Sequence, residues 1–157
     1  MAHDVMPGRT ADNRQSLYER DYYSWALEQA RALKARHLKA LDWENLAEEV
    51  EDLARSERRE LESRLEVLLE HLLKWQFQPR RRSRSWTATI AVQRFKIRRR
   101  LEQNPGLKPT IPAVLADAYA SARIDFTNRE LGSGKSKLPD SCPWTFEQII
   151  NDQFWPE

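Results

Sequence analysis

A single cysteine, Cys142, occurs in 157 residues. That excludes an internal disulfide framework and a zinc cage built on cysteines, and it suits a reducing compartment, so a cytoplasmic location is expected. Only four glycines are present and β-branched alternation is missing, which counts against a sheet. No apolar run approaches the roughly 20 residues that cross a bilayer, and the opening MAHDVMPGRTADNRQ has no apolar core. Neither a membrane span nor a signal peptide is therefore expected. The net charge of +2 is the balance of 26 basic and 24 acidic side chains, too small for a generally basic nucleic-acid protein, so any such role must be local. The P-loop, GxGxxG, HExxH and GxSxG signatures are all absent, and no cofactor is expected.

What is present is helical. Leucine, alanine, glutamate and arginine dominate the middle of the chain, and all are good helix formers. Residues 1–15 have no apolar periodicity and read as a flexible arm, leaving residues 16–157 as one all-helical domain. Tyr18, Tyr22, Trp25, Ala26, Leu33 and His37 fall on one side of a helix over about Asp21 to Lys39, a face expected to be buried. LDWENL then writes a helix start, with Asp42 as N-cap and Leu41 and Leu46 as a hydrophobic staple. From Trp43 the stripe Leu46, Val50, Leu53, Leu61, Leu65, Leu68, Leu72, Trp75 runs to Gln78, broken only where apolar residues are missing at 55–60. Pro79 ends it. Further helices are expected over Ser85 to Gln103 and Ile111 to Thr127. LGSGKSKLPDS reads as a loop, Thr145 and Gln148 form a capping box for a short last helix, and a tail with Phe154 and Trp155 is expected to dock. The fold class is all-α: a bundle of about five helices on a long antiparallel pair.

Within the long helix, Glu57, Arg64 and His71 lie on the leucine stripe at intervals of seven, about 10.5 Å apart, too far to bond to one another. Each needs a partner on another helix, and Gln93 on the next helix is placed to supply one. An unpaired buried carboxylate costs several kcal/mol, so Glu57 is expected to meet an arginine, Gln93 or a tryptophan N–H. Two readings stay open: a structural polar network of Glu57, Arg64 and Gln93 that fixes helix register, or a pocket in which Glu57 and His71 act catalytically. A di-metal carboxylate site needs Glu-x-x-His on two helices. His71 follows Leu68 and His37 follows Lys34 at that spacing, and the acidic run Glu48, Glu49, Glu51, Asp52 suits a solvated helix face, so no metal site is expected. Cys142 has no histidine near it in sequence and reads as an inert thiol.

Charge is segregated. Residues 42–78 carry 11 acidic and 5 basic side chains, whereas residues 79–100 carry 9 basic and no acidic ones. Arg80, Arg81, Arg82 and Arg84, followed by Arg98, Arg99 and Arg100 on a helix with Arg94 and Lys96, are the candidate binding residues. They would meet phosphates of nucleic acid, or else pair with the acidic helix. Val92 and Phe95 fall away from the Trp86, Ile90, Ile97 stripe, so that helix is buried on two sides or exposes an apolar patch ringed by arginines, as at a protein interface or homodimer.

The strings LDWENLAEEVEDLARSERREL, HLLKWQFQP and SCPWTFEQI, within a stretch covering roughly residues 18–156, resemble the bacterial family known as domain of unknown function 29. His37 departs from the usual family look, where a bulkier aromatic is expected. The resemblance implies a compact all-helical bacterial protein with no established activity, and it brings no catalytic residue. The functional expectation is a non-enzymatic helical interaction module with a protein partner or self-association. The alternatives are sequence-independent nucleic-acid binding through residues 80–100, and an enzyme with an interhelical carboxylate/His pocket.

Overall fold

A computed structural model of the chain describes residues 16–131 and 138–157. The expected N-terminal arm and the centre of the expected loop at 131–141 lie outside them. Among the described residues there are six α-helices and no strand, as the helix-rich composition predicts: α1 (Leu17–Arg20), α2 (Tyr22–Lys34), α3 (Trp43–Phe77), α4 (Arg84–Gln103), α5 (Ile111–Phe126) and α6 (Phe146–Ile150). Short 3-10 turns at Leu38–Ala40, Pro79–Arg81 and Pro105–Thr110 join them, and a π turn at Thr127–Leu131 extends α5. None of these helices is long and apolar enough to cross a membrane. The chain divides into two compact units between Asp52 and Leu53, although α3 is one continuous helix through residues 55–60.

In the first unit, α2 ends at Lys34, five residues short of the expected Lys39. The His37 amide donates to the Ala32 carbonyl at 2.9 Å and the Arg36 amide to Leu33 at 3.1 Å, the paired bonds of a Schellman stop. Arg36 takes the left-handed conformation, φ 54°, where glycine is the usual residue. With no glycine there, the sequence shows no stop signal. Beyond the stop, Asp42 caps α3, accepting from the Asn45 amide at 3.3 Å. The buried Gln29 accepts from the Asp42 amide at 2.7 Å, and the Trp25 indole donates to the Asp42 carboxylate at 3.1 Å. Farther along, the Tyr18 and Tyr22 hydroxyls each donate to Glu49 at 2.7 Å. Partner numbers rise on α3 as they fall on α2, so the two segments run antiparallel. Of the face expected to be buried, Trp25 is buried and Tyr18 and Ala26 are half-buried, whereas Tyr22, Leu33 and His37 are exposed; Ala32, next to Leu33, is buried instead.

The second unit holds the main core. Leu61, Leu65, Leu68, Leu69, Leu72 and Leu73 of α3 are fully buried against Ile90 and Ile97 of α4, Val114, Ala118, Ala122 and Phe126 of α5, and Ile149 of α6. Each such leucine contributes about 1.5–3 kcal/mol of transfer free energy. Ala118 and Ala122 let α5 approach closely. The apolar stripe of α3 is thus buried only from Leu61 onward. Val50 and Leu53, expected to continue it inward, are 64% and 67% exposed. The expected capping box opens α6, where the Thr145 hydroxyl accepts from the Gln148 amide at 3.2 Å. The tail docks: the Trp155 ring lies 4.5 Å from Trp75, and the Gln76 amide group donates to the Glu157 carbonyl at 2.8 Å.

Candidate protein-interaction face

The polar residues of α3 meet α4 as a chain of alternating charge. Arg100 donates to Glu57, which also accepts from the Asn104 side chain at 3.2 Å. Arg100 lies 3.9 Å from Glu60, Glu60 pairs with Arg64, and Arg64 donates to Gln93 at 3.4 Å. Glu57, Arg64 and Gln93 therefore belong to one network that spans the α3–α4 contact. Its groups are half-exposed, so each pair is worth at most about 1 kcal/mol and the chain serves register more than stability. His71 is not part of it. The His71 Nδ1–H donates to the Val67 carbonyl one turn back at 2.8 Å, since a carbonyl can only accept. Fourteen residues of helix hold His71 about 21 Å from Glu57, too far for the two to act on one substrate bond.

The inward arginines of α4 are spent on the C-terminal segment. Arg94 is 1% exposed. Its Nε donates to the Ile149 carbonyl at 2.8 Å, one terminal nitrogen donates to Phe154 at 2.7 Å, and the guanidinium lies 5.3 Å from the centre of the Trp155 ring. Burial pushes its pKa below the usual arginine range. Arg98, one turn on, donates to the Ile150 carbonyl at 2.7 Å and grips Asp152 through two bonds of 3.1 Å. A planar fork with several donors suits arginine, not lysine, to this task. Arg82 closes the end of α3, donating to the Trp75 carbonyl at 2.9 Å and stacking 4.7 Å from that ring. Of the sequence's candidate binding residues, Arg82, Arg98 and Arg100 thus make contacts that join elements of the fold, Arg82 while exposed; Arg80, Arg84 and Arg99 are exposed, as is Arg81, which donates to Gln78 at 3.4 Å.

The outward side of α4 is different. Taking Val92 as zero on a helical wheel, Arg99 falls at about −20°, Phe95 at about −60°, Ala88 at about −40° and Lys96 at about 40°. All are exposed, Val92 by 45% and Phe95 by 56%. Phe95 stands between two shallow depressions. One, of about 320 Å³, is lined by Phe95, Arg98, Arg99 and Glu102. The other, of about 250 Å³, has Arg64, Lys96, Arg99, Arg100 and Gln103 beside Phe95. An aromatic ridge with cationic flanks gives a partner both apolar area and charges to answer. The sequence signalled this face through the two apolar positions off the main stripe; it gave no sign that Trp43, at the start of α3, is 60% exposed.

Elsewhere the chemistry is quiet. A cavity of about 210 Å³ is lined by Pro112, Leu115, Ala116, Tyr119, Asp140, Ser141 and Cys142. Burial raises the Cys142 thiol pKa, partly offset by the Trp144 backbone amide, which keeps it protonated and poorly nucleophilic. Among the described residues no three His, Cys, Asp or Glu side chains cluster as metal ligands would.

No curated protein and no solved structure matches the chain. A family model does, over residues 17–155, the span that includes both units and the docked tail. The chain belongs to the family described as Domain of unknown function DUF29.

Proposed function

We propose that the protein is a non-enzymatic interaction module that docks a partner on the outward face of α4. The observation that carries this is the solvent exposure of Val92 and Phe95 beside Lys96 and Arg99, on a helix whose opposite side packs on the core and the C-terminal segment. The groups with most claim to chemistry support the same reading, since Glu57 is bound to Arg100 and Asn104, and His71 to its own helix. Phosphate binding is the second reading, favoured by the exposure of Arg80, Arg81 and Arg84 around the turn before α4. It is weakened by the structural employment of Arg82, Arg94, Arg98 and Arg100.

The test is a photo-crosslinking amino acid at position 92 of the full chain, with and without Phe95→Asp. The expected result is a protein adduct formed from position 92 and lost in the Phe95→Asp background. No adduct, or one indifferent to Phe95, overturns the docking face. Binding of short single-stranded nucleic acid that falls steeply with salt, and more shallowly in an Arg80/Arg81/Arg84→Ala variant, would instead favour phosphate contacts.

A further inference from the structure

The chain carries a second exposed helix face whose chemistry mirrors that of α4. On α3, Trp43, Ala47 and Val50 share one side, at about 0°, 40° and −20° on the wheel, and all three are exposed, Trp43 by 60% and Val50 by 64%. Glu44 and Glu48 flank them. Residues 42–52 hold six acidic side chains and no basic one, whereas α4 from Arg84 to Arg100 holds six basic and no acidic ones. One face is apolar with an acidic rim, the other apolar with a basic rim.

From this complementarity we infer that the occupant of the α4 face is a second copy of this chain, presenting the first three turns of α3. This rests on the reading of α4 as a docking face. The spacing supports it. Trp43, Ala47 and Val50 step by four and three residues, and read backwards so do Arg99, Phe95 and Val92. Repeats of three and four are those of helices that interlock side by side at a shallow angle. Laid antiparallel, the two rows set Arg99 on Trp43, Phe95 on Ala47 and Val92 on Val50. The guanidinium gains the face of an indole, the large ring meets the small side chain, and two valines meet as equals. The same alignment carries Lys96 and Arg99 toward Glu44 and Glu48. The contact is heterologous, with each copy offering one half of each type.

Sedimentation equilibrium on the full chain tests this, using Phe95→Asp and Val50→Asp. Both positions are exposed, and unchanged helical circular dichroism confirms that each variant is folded. The wild type is expected to sediment above its 18.6 kDa chain mass. Each variant alone should associate at least about tenfold more weakly, because a carboxylate replaces an apolar group within the contact row. An equimolar mixture should recover pairs of twice the chain mass, because the Phe95→Asp copy keeps a sound α3 row and the Val50→Asp copy a sound α4 row. Self-association that ignores either substitution, or a mixture that fails to pair, overturns the inference. So does a wild type that stays at one chain mass. In that last case a position-92 crosslink to a different protein leaves the α4 docking face standing, and the absence of any crosslink removes both.

Discussion

Replacing Arg94 by alanine should destabilise the protein by a definite amount and in a definite place, the C-terminal segment that α4 holds. Arg94 is buried and, among the described residues, forms no ion pair, although the charge of Asp152 acts on it; it is answered by the carbonyls of Ile149 and Phe154 and by the face of Trp155. Two hydrogen bonds from a charged donor contribute about 1.5–3 kcal/mol each. Removal also leaves those carbonyls short of a partner and opens a cavity beneath Trp155. Against this stands the desolvation cost that the buried guanidinium no longer incurs, the same cost that depresses its pKa. The two lost hydrogen bonds, less the desolvation cost that is relieved, leave a net loss of about 3 kcal/mol as the expected value here, that of two charged hydrogen bonds at the low end of their range. For a chain of this length that lowers Tm by about 10 °C. Arg94→Lys, whose compact ammonium reaches one carbonyl and not two, should lose about half as much. Urea denaturation measures the total, and amide hydrogen exchange locates it: protection over residues 146–155 should fall before that of the α3 leucines. A loss below about 0.5 kcal/mol, or exchange that rises evenly across the protein, would show that Arg94 does not clamp the C-terminal segment.

Two further outcomes follow from the first unit. Arg36→Gly should stabilise the protein by about 0.5–1 kcal/mol in urea titration, because glycine adopts the left-handed stop of α2 without a side-chain clash; destabilisation would mean that the Arg36 side chain does more than occupy the turn. Asp42→Ala should cost about 1 kcal/mol at neutral pH as the α3 cap is lost. The Asp42 carboxyl is held below its ordinary 3.8 mainly by the Asn45 side-chain amide, with help from the Asn45 backbone and the Trp25 indole. A depressed carboxyl stabilises the fold at pH values above 3.8, and that contribution disappears as pH falls through its lower folded value. Hydrogen exchange over residues 38–50 should therefore accelerate below pH 3.8 in the wild type and much less in Asp42→Asn. Equal acid sensitivity in the two would refute the assignment.

Much of this was legible because helix signals are local. The caps at Asp42 and Thr145, the break at Pro79 and the leucine stripe from Leu61 are written in neighbouring residues, and each appears in the structure where the spacing puts it. The stop of α2 was not legible, because Arg36 adopts a conformation that its side chain does not advertise. The wheel also placed Val50 and Leu53 on a stripe with Leu61, yet periodicity reports which residues share a side and not whether anything covers it.

The arginines show the same division most plainly. The sequence alone established that residues 79–100 are cationic and, by helical spacing, that Val92 and Phe95 leave the core stripe. It could not sort nine basic side chains by duty. Only the tertiary structure brought the carbonyls of Ile149, Ile150 and Phe154 to α4, more than fifty residues distant in the chain, and so turned Arg94 and Arg98 inward while leaving Lys96 and Arg99 in solvent. Helix formation is settled by a residue and its neighbours within about four positions. The duty of a charged side chain is settled by whichever distant group must be satisfied when water is excluded.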